Sequence, residues 1–221
     1  IKAISSNNVI IEGNNSIFNK RKNSLEVYGN VVVEDQIKNI KIYAEKIVYD
    51  KLNESINSSG NVVVEDQIKN IKINADNIVY DKLNESISSV GSSKTYFKDD
   101  YEIITTDIFF DRKNNLINSN KKSSIKDNSG NSFHLGEFKF DLLKKIINTK
   151  KIEILDNKNN KYFVENALIN LNTNEIIGKD VNIEFDNSLF GNKKNEPRIK
   201  GRSVISDDNK TVVYKGVFTT C

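Results

Sequence analysis

Four aspartates, Asp50, Asp81, Asp111 and Asp141, recur every 30 or 31 residues, each directly behind an apolar run such as "NIVYD" or "DIFFD". A column of carboxylates at a constant step is the first candidate for chemistry, because hard oxygen ligands bind Ca²⁺. A calcium loop, however, spaces several oxygens at short alternating intervals and turns sharply at a Gly. The segment "DKLNES" supplies two acids and no Gly, so these aspartates are expected to cap their own turns. The only histidine, His134 in "NSFHLGEF", alternates with Phe133 and Leu135, which predicts a structural residue on a strand. No GxSxG, P-loop, HExxH or CxxC segment occurs. A glycan-cleaving enzyme needs one unique pair of carboxylates across a cleft, and this chain offers only repeated ones. No catalytic residue, metal or cofactor is therefore expected. Cys221 is the one cysteine and the last residue, so it is free or paired outside the chain.

The elements that carry these residues are repeats. Residues 29–59 and 60–90 are identical at 26 of 31 positions. Weaker copies extend both ways, because an Asp or Asn follows the apolar run at Asn19, Asp50, Asp81, Asp111, Asp141 and Asn172, in steps of 31, 31, 30, 30 and 31, with a looser copy at Asp207. About seven units thus account for residues 1–221, read as a single repeat domain and as a piece of a longer protein. Within a unit the period is two: "NIKINA" places Ile71, Ile73 and Ala75 on one side and Lys72 and Asn74 on the other. The phase slips by one between Ala75 and Ile78, which predicts a bulge and leaves either Ile78 and Tyr80 or Val79 on the inner side. Gly29, Gly60 and Gly91 stand at comparable points where a kink is tolerated. No 3.6-residue period is sustained, so the expected fold is all β. Hairpins that are marginal alone would stack edge to edge into an elongated, twisted jelly roll or an open trough.

One strip of side chains shares the inner side of these strands: Val31, Val33, Ile42, Ala44, Val62, Val64, Ile73, Ala75, Ile103, Phe138, Phe140, Leu171 and Phe185. It reads as a sandwich core or as a groove lined for acyl chains, each buried methylene being worth about 0.8 kcal/mol. The net charge of +3 comes from 33 basic and 30 acidic residues interspersed throughout, which is no footprint of nucleic-acid binding. No window approaches the roughly 20 apolar residues of a membrane-spanning helix.

The stretch "GNVVVEDQIKNIKINADNIVYDKLNESI" resembles the repeat of the OstA-like lipopolysaccharide-transport family, which includes LptA, LptC and the N-terminal periplasmic domain of LptD. The GNV strand, polar turn, IKIxAD strand, apolar triplet and polar hairpin fall in order, best over residues 29–118. The resemblance implies a β-taco whose inner face carries the acyl chains of lipid A. The ending "EPRIKGRSVISDDNKTVVYKGVFTTC" is similar to the segment that leads from the periplasmic domain of LptD toward its barrel. It implies a disulfide from Cys221 to the barrel, a plug lipoprotein as a further partner, and edge-strand pairing with an LptA-like bridge on the periplasmic side of the Gram-negative outer membrane. A tandem duplication is not a hallmark of the family. A free-standing LptA-like bridge and a purely structural β-solenoid or adhesin remain open as readings.

Overall fold

Alternation of β-branched with polar residues dictates extended chain nearly everywhere, and the computed structural model is all β, with twenty strands in antiparallel pairs among the described residues. It describes residues 2–4, 8–98, 100–128, 130, 132–156, 159–187, 196–207 and 209–220. These fall into two compact units, Ile1–Asn115 and Leu116–Cys221.

The first unit holds β1 (Lys2–Ile4), β2 (Val9–Glu12), β3 (Asn15–Asn19), β4 (Ser24–Asp35), β5 (Ile40–Asp50), β6 (Ser55–Asp66), β7 (Ile71–Asp81), β8 (Ser86–Phe97), β9 (Tyr101–Thr106) and β10 (Phe109–Asp111). From β4 to β8 the chain is a meander in which each strand of 11 or 12 residues pairs with the next along its whole length. Midway along every pair the register shifts: between Tyr28 and Val31, Tyr43 and Lys46, Ser59 and Val62, and Ala75 and Asn77. The phase slip in "NADNI" is therefore a bulge at Asp76, and Ile78 and Tyr80, not Val79, continue the buried side.

Together these bulges form one bend line. Gly29, Gly60 and Gly91 sit on it at φ +83°, +80° and +87°, a region that a side chain enters only at a cost. Asn30 and Asn61 follow at +50° and +48°, and Asn61 is held by a 2.8 Å hydrogen bond from its Nδ2 to Glu45 Oε1. The line divides the sheet into a first arm (24–28, 46–50, 55–59, 77–81, 86–90) and a second arm (31–35, 40–44, 62–66, 71–75, 92–97). At the margins, β3 and β2 pair with the two arms of β4, and β10 and β9 with the two arms of β8.

The hairpin turns that follow the repeated apolar runs are closed by an Asp or Asn side chain, as the sequence predicts, the first by Asn19, whose Oδ1 accepts from the Lys22 amide. Asp50 accepts from Leu52 and Asn53, Asp81 and Asp111 from the third residue on, and Asp141 from Leu143 and Lys144. Asp35 and Asp66 do the same at the other row of turns. In the sixth unit the cap is Asn170, whose Oδ1 accepts from the Asn172 amide, so Asn172 is displaced from that role by two residues. The last turn residue is left-handed, and its carbonyl takes the first amide of the next turn in the stack: Lys51 on Asn23, Gln67 on Asn39, Lys82 on Glu54, Arg112 on Glu85. Asn holds nine of the 17 left-handed non-glycine positions among the described residues, which gives the abundant asparagines a conformational role.

The second unit holds β11 (Leu116–Ser119), β12 (Ser123–Asp127), β13 (Ser132–Leu135), β14 (Glu137–Asp141), β15 (Ile146–Leu155), β16 (Lys161–Asn170), β17 (Glu175–Glu184), β18 (Arg198–Ser206), β19 (Thr211–Tyr214) and β20 (Val217–Thr219). Here β13 and β14 share β15, a meander runs from β15 to β18, and β19 and β20 share β18. Lys151 and Asp180, at φ +53° and +56°, mark the same mid-strand break. Phe133, Phe138, Phe140, Ile147, Val164, Ile169 and Ile183 are its buried row.

Candidate functional site

Two inner surfaces result from the bend. The second arm contributes Val31, Val33, Ile42, Ala44, Val62, Val64, Ile73 and, beyond the meander, Ile103, all of them buried. Ala75, at the bulge, is only half-buried. Facing them, the first arm supplies an equally apolar row that the sequence strip omits: Val27, Ile47, Tyr49, Ile56, Ile78, Tyr80 and Ile87. In the second unit Phe138 and Phe140 are buried on β14. Two predicted lining residues lie elsewhere. Leu171 is in the turn after β16, and Phe185 follows the end of β17, where it lines a polar cleft of about 410 Å³ with Lys161, Glu184, Glu196 and Arg198. Strand parity placed both on the inner side, but the strands end before reaching them. His134 is exposed on β13 between buried Phe133 and Leu135. Cys221 lies outside the described residues.

The inner rows of the first unit are closed to water, Ile42, Val62 and Ile73 being at most 1% exposed. What shuts them off opposite the bend is a seam of charged side chains at the hairpin tips. Tyr80 of β7 donates a 3.0 Å hydrogen bond to Asp35 Oδ2 of β4, although β5 and β6 lie between these strands in the sheet. The sheet has thus folded back on itself, tip to tip. Arg112 donates from Nε to Asp66 Oδ2 at 2.7 Å, from Nη1 to Glu85 Oε2 at 2.9 Å and from Nη2 to the Lys38 carbonyl at 2.9 Å. Lys38 Nζ donates to Glu85, and Lys69 Nζ donates to Asn115 Oδ1 at 2.6 Å. Lys82, its side chain 7% exposed, lies 3.8 Å from both Asp35 and Glu54.

These contacts repeat with the sequence. Asp35, Glu54 and Lys82 form one rung; Asp66, Glu85 and Arg112 form the next, shifted by 31, 31 and 30 residues. Burial opposes the charge of Arg112, yet the hydrogen bond and charge of Asp66, and then those of Glu85, hold its guanidinium above the ordinary value. The hydrogen bond from Lys38, and then that from Arg112, overcomes desolvation to hold the Glu85 carboxyl below its usual range. Burial, then the charge and hydrogen bond of Asp35, pushes the Tyr80 hydroxyl far up, so it stays a donor.

Sequence reasoning missed the seam, though it left a trace. In "VVVED" Asp35 and Asp66 keep the parity of Val31 and Val33, and of Val62 and Val64, so each is a carboxylate on the apolar side of a strand. Their cationic partners, 46 or 47 residues away, could be found only by folding the sheet.

The sequence matches no protein-family model and no curated protein. Among solved structures, the chain is similar to LptH, described as the LptA homologous periplasmic component of the conserved lipopolysaccharide transport device from Pseudomonas aeruginosa. The identity is 12%, the match covers 67% of this chain and 94% of that one, and the TM-score is 0.30.

Proposed function

We propose that the protein is a periplasmic lipopolysaccharide-binding and transfer module, in which the acyl chains of lipid A travel along the inner apolar rows while the phosphorylated sugars remain outside. The observation that carries this reading is a single apolar side repeated strand after strand and polar on its reverse. The resemblance of residues 29–118 to the OstA-like repeat supports it and supplies the ligand class. Transfer is passive: every methylene that leaves water for the interior gains about as much as the last, roughly 0.8 kcal/mol, so no site along the path traps the chain. The same resemblance proposes the neighbours: an LptA-like bridge, and beyond it an LptD barrel with its plug lipoprotein at the outer membrane.

The closed interior favours a second reading, a structural stack whose inner rows are only a core. One experiment separates the two. A diazirine-bearing leucine analogue is placed at Ile73 or Phe140, and on the outer side at Lys72, and the full chain is irradiated with lipopolysaccharide. Transfer requires adducts at Ile73 and Phe140. Adducts at Lys72 alone would leave the structural stack.

A further inference from the structure

The charged seam is a poor choice if its only task is to close a core. Taking ions out of water costs about as much as their attraction returns, and apolar residues of similar size commonly do as well or better. Neighbouring positions in the repeat show that such a substitute is available. One unit further on, the places of Asp66, Glu85 and Arg112 are held by Phe97, Asn115 and Leu142; one unit before the first rung, those of Asp35, Glu54 and Lys82 are held by Ile4, Asn23 and Lys51. Complete rungs therefore belong to the duplicated stretch: each copy provides the two carboxylates, and the unit after it provides the cation.

Three further observations point to a contact built to break. Glu54 and Glu85 adopt φ +46° and +50°, where the equivalent turn residues are Asn23, Asn115, Lys145 and Asn174. The left-handed region is accessible to Asn but costs a Glu roughly 1 kcal/mol, so the rung carboxylates are kept against the preference of their own turns. Lys82 Nζ stands 3.8 Å from both Asp35 and Glu54, an ion pair without a direct hydrogen bond to either carboxylate. Opposite the seam, the two arms are joined only through the bend line, where Gly29, Gly60 and Gly91 remove side chains from every second strand.

From these features we infer that the two rungs are the latch of a lateral port, through which acyl chains of an anionic, phosphorylated amphiphile enter between the arms of the first unit. This inference rests on the transfer function proposed above. In the closed state Arg112 and Lys38 hold Glu85 and Asp66. Opening about the bend line returns these ions to water, which repays part of their separation and exposes the inner rows to the chains.

The test uses the full chain with Cys221→Ser and the leucine analogue at Ile73. Lys38→Cys and Glu85→Cys are joined by a short bis-maleimide, and the control carries the same cysteines blocked with a monofunctional maleimide. A third protein, Glu85→Asn with Lys38 retained, removes the latch carboxylate while easing the left-handed turn, so it folds even if the cysteine pair does not. With fluorescently labelled lipopolysaccharide, adduct formation at Ile73 is expected to slow about tenfold or more in the bridged protein against its blocked control. It is expected to quicken about tenfold in Glu85→Asn against the chain that keeps both Lys38 and Glu85, since removing one partner of a partly buried pair costs the closed state at least that factor. Equal rates in both comparisons, with adducts formed, would overturn the port and leave the transfer function standing. Absence of adducts in every protein, the unlatched one included, would remove both.

Discussion

Individual residues decide how the interior tolerates polarity. Thr95 and Ser58 are buried on the inner side with hydroxyls that have no hydrogen-bond partner, while Ser89 Oγ accepts from the Ile108 amide at 3.0 Å. A buried hydroxyl left unpaired costs about 1–3 kcal/mol, so Thr95→Val, nearly equal in shape, is expected to raise the unfolding free energy by about 1 kcal/mol in urea titrations. The Ser89→Ala change, which strips a satisfied amide of its acceptor, is expected to lower it. Glu85 sets a pH dependence. Its folded pKa is depressed, so its contribution is present above the unfolded value of about 4.3 and is lost as pH falls through the lower folded one. Lys38 and Arg112 face it, with Asp66 on the far side of Arg112. Asp50 and Asp81 are depressed by bonds from Asn53 and Asn84 and titrate in the same direction. The difference between wild type and Glu85→Gln in melting temperature is therefore the measurement: it should be largest at neutral pH and shrink toward pH 3.

At the scale of elements, the long bent strand is the unit of construction, and its bend line is where sequence choice is least free. A Cβ on Gly60 would stand 2.7 Å from Glu45 Cβ and 2.6 Å from its Oε2, whereas one on Gly91 would meet nothing within 4 Å. Both positions are left-handed. Gly91→Ala should therefore cost only the conformational term, about 1–2 kcal/mol, and Gly60→Ala distinctly more, as read from denaturant midpoints at unchanged slope. Equal losses would show that the clash at Glu45 is relieved without cost. Much of this was legible: "IKINADNIVYD" announces a period of two, a slip and a resumption, and the glycines at 29, 60 and 91 stand where the strands turn. The strand ends were not. Leu171 and Phe185 have inner parity and apolar side chains, yet one belongs to a turn and the other to chain beyond β17, because turn hydrogen bonding from Asn170 and the end of the ladder at Glu184 override periodicity.

For the whole molecule, the duplication becomes a statement about register. Residues 60–90 enter the first unit as one hairpin layer, with side-chain parity, bulge and caps already matched to those on either side. Removing them should bring Arg112 opposite Asp35 and Glu54 in place of Asp66 and Glu85. The shortened chain is expected to unfold cooperatively, with one rung instead of two and a denaturant slope reduced in step with the surface it no longer buries. A chain that fails to fold, or that melts without cooperativity, would show the copies not to be interchangeable. By itself the sequence determined the all-β class, the 31-residue step, the capping aspartates and the second arm's inner row, since each follows from local spacing and parity. Tertiary structure alone decided that the first arm lies over that row and that Asp35, Asp66 and Arg112 meet at a seam. Those contacts join residues 45 or more positions apart, and no local preference encodes them; they exist only once the bulges have folded the sheet.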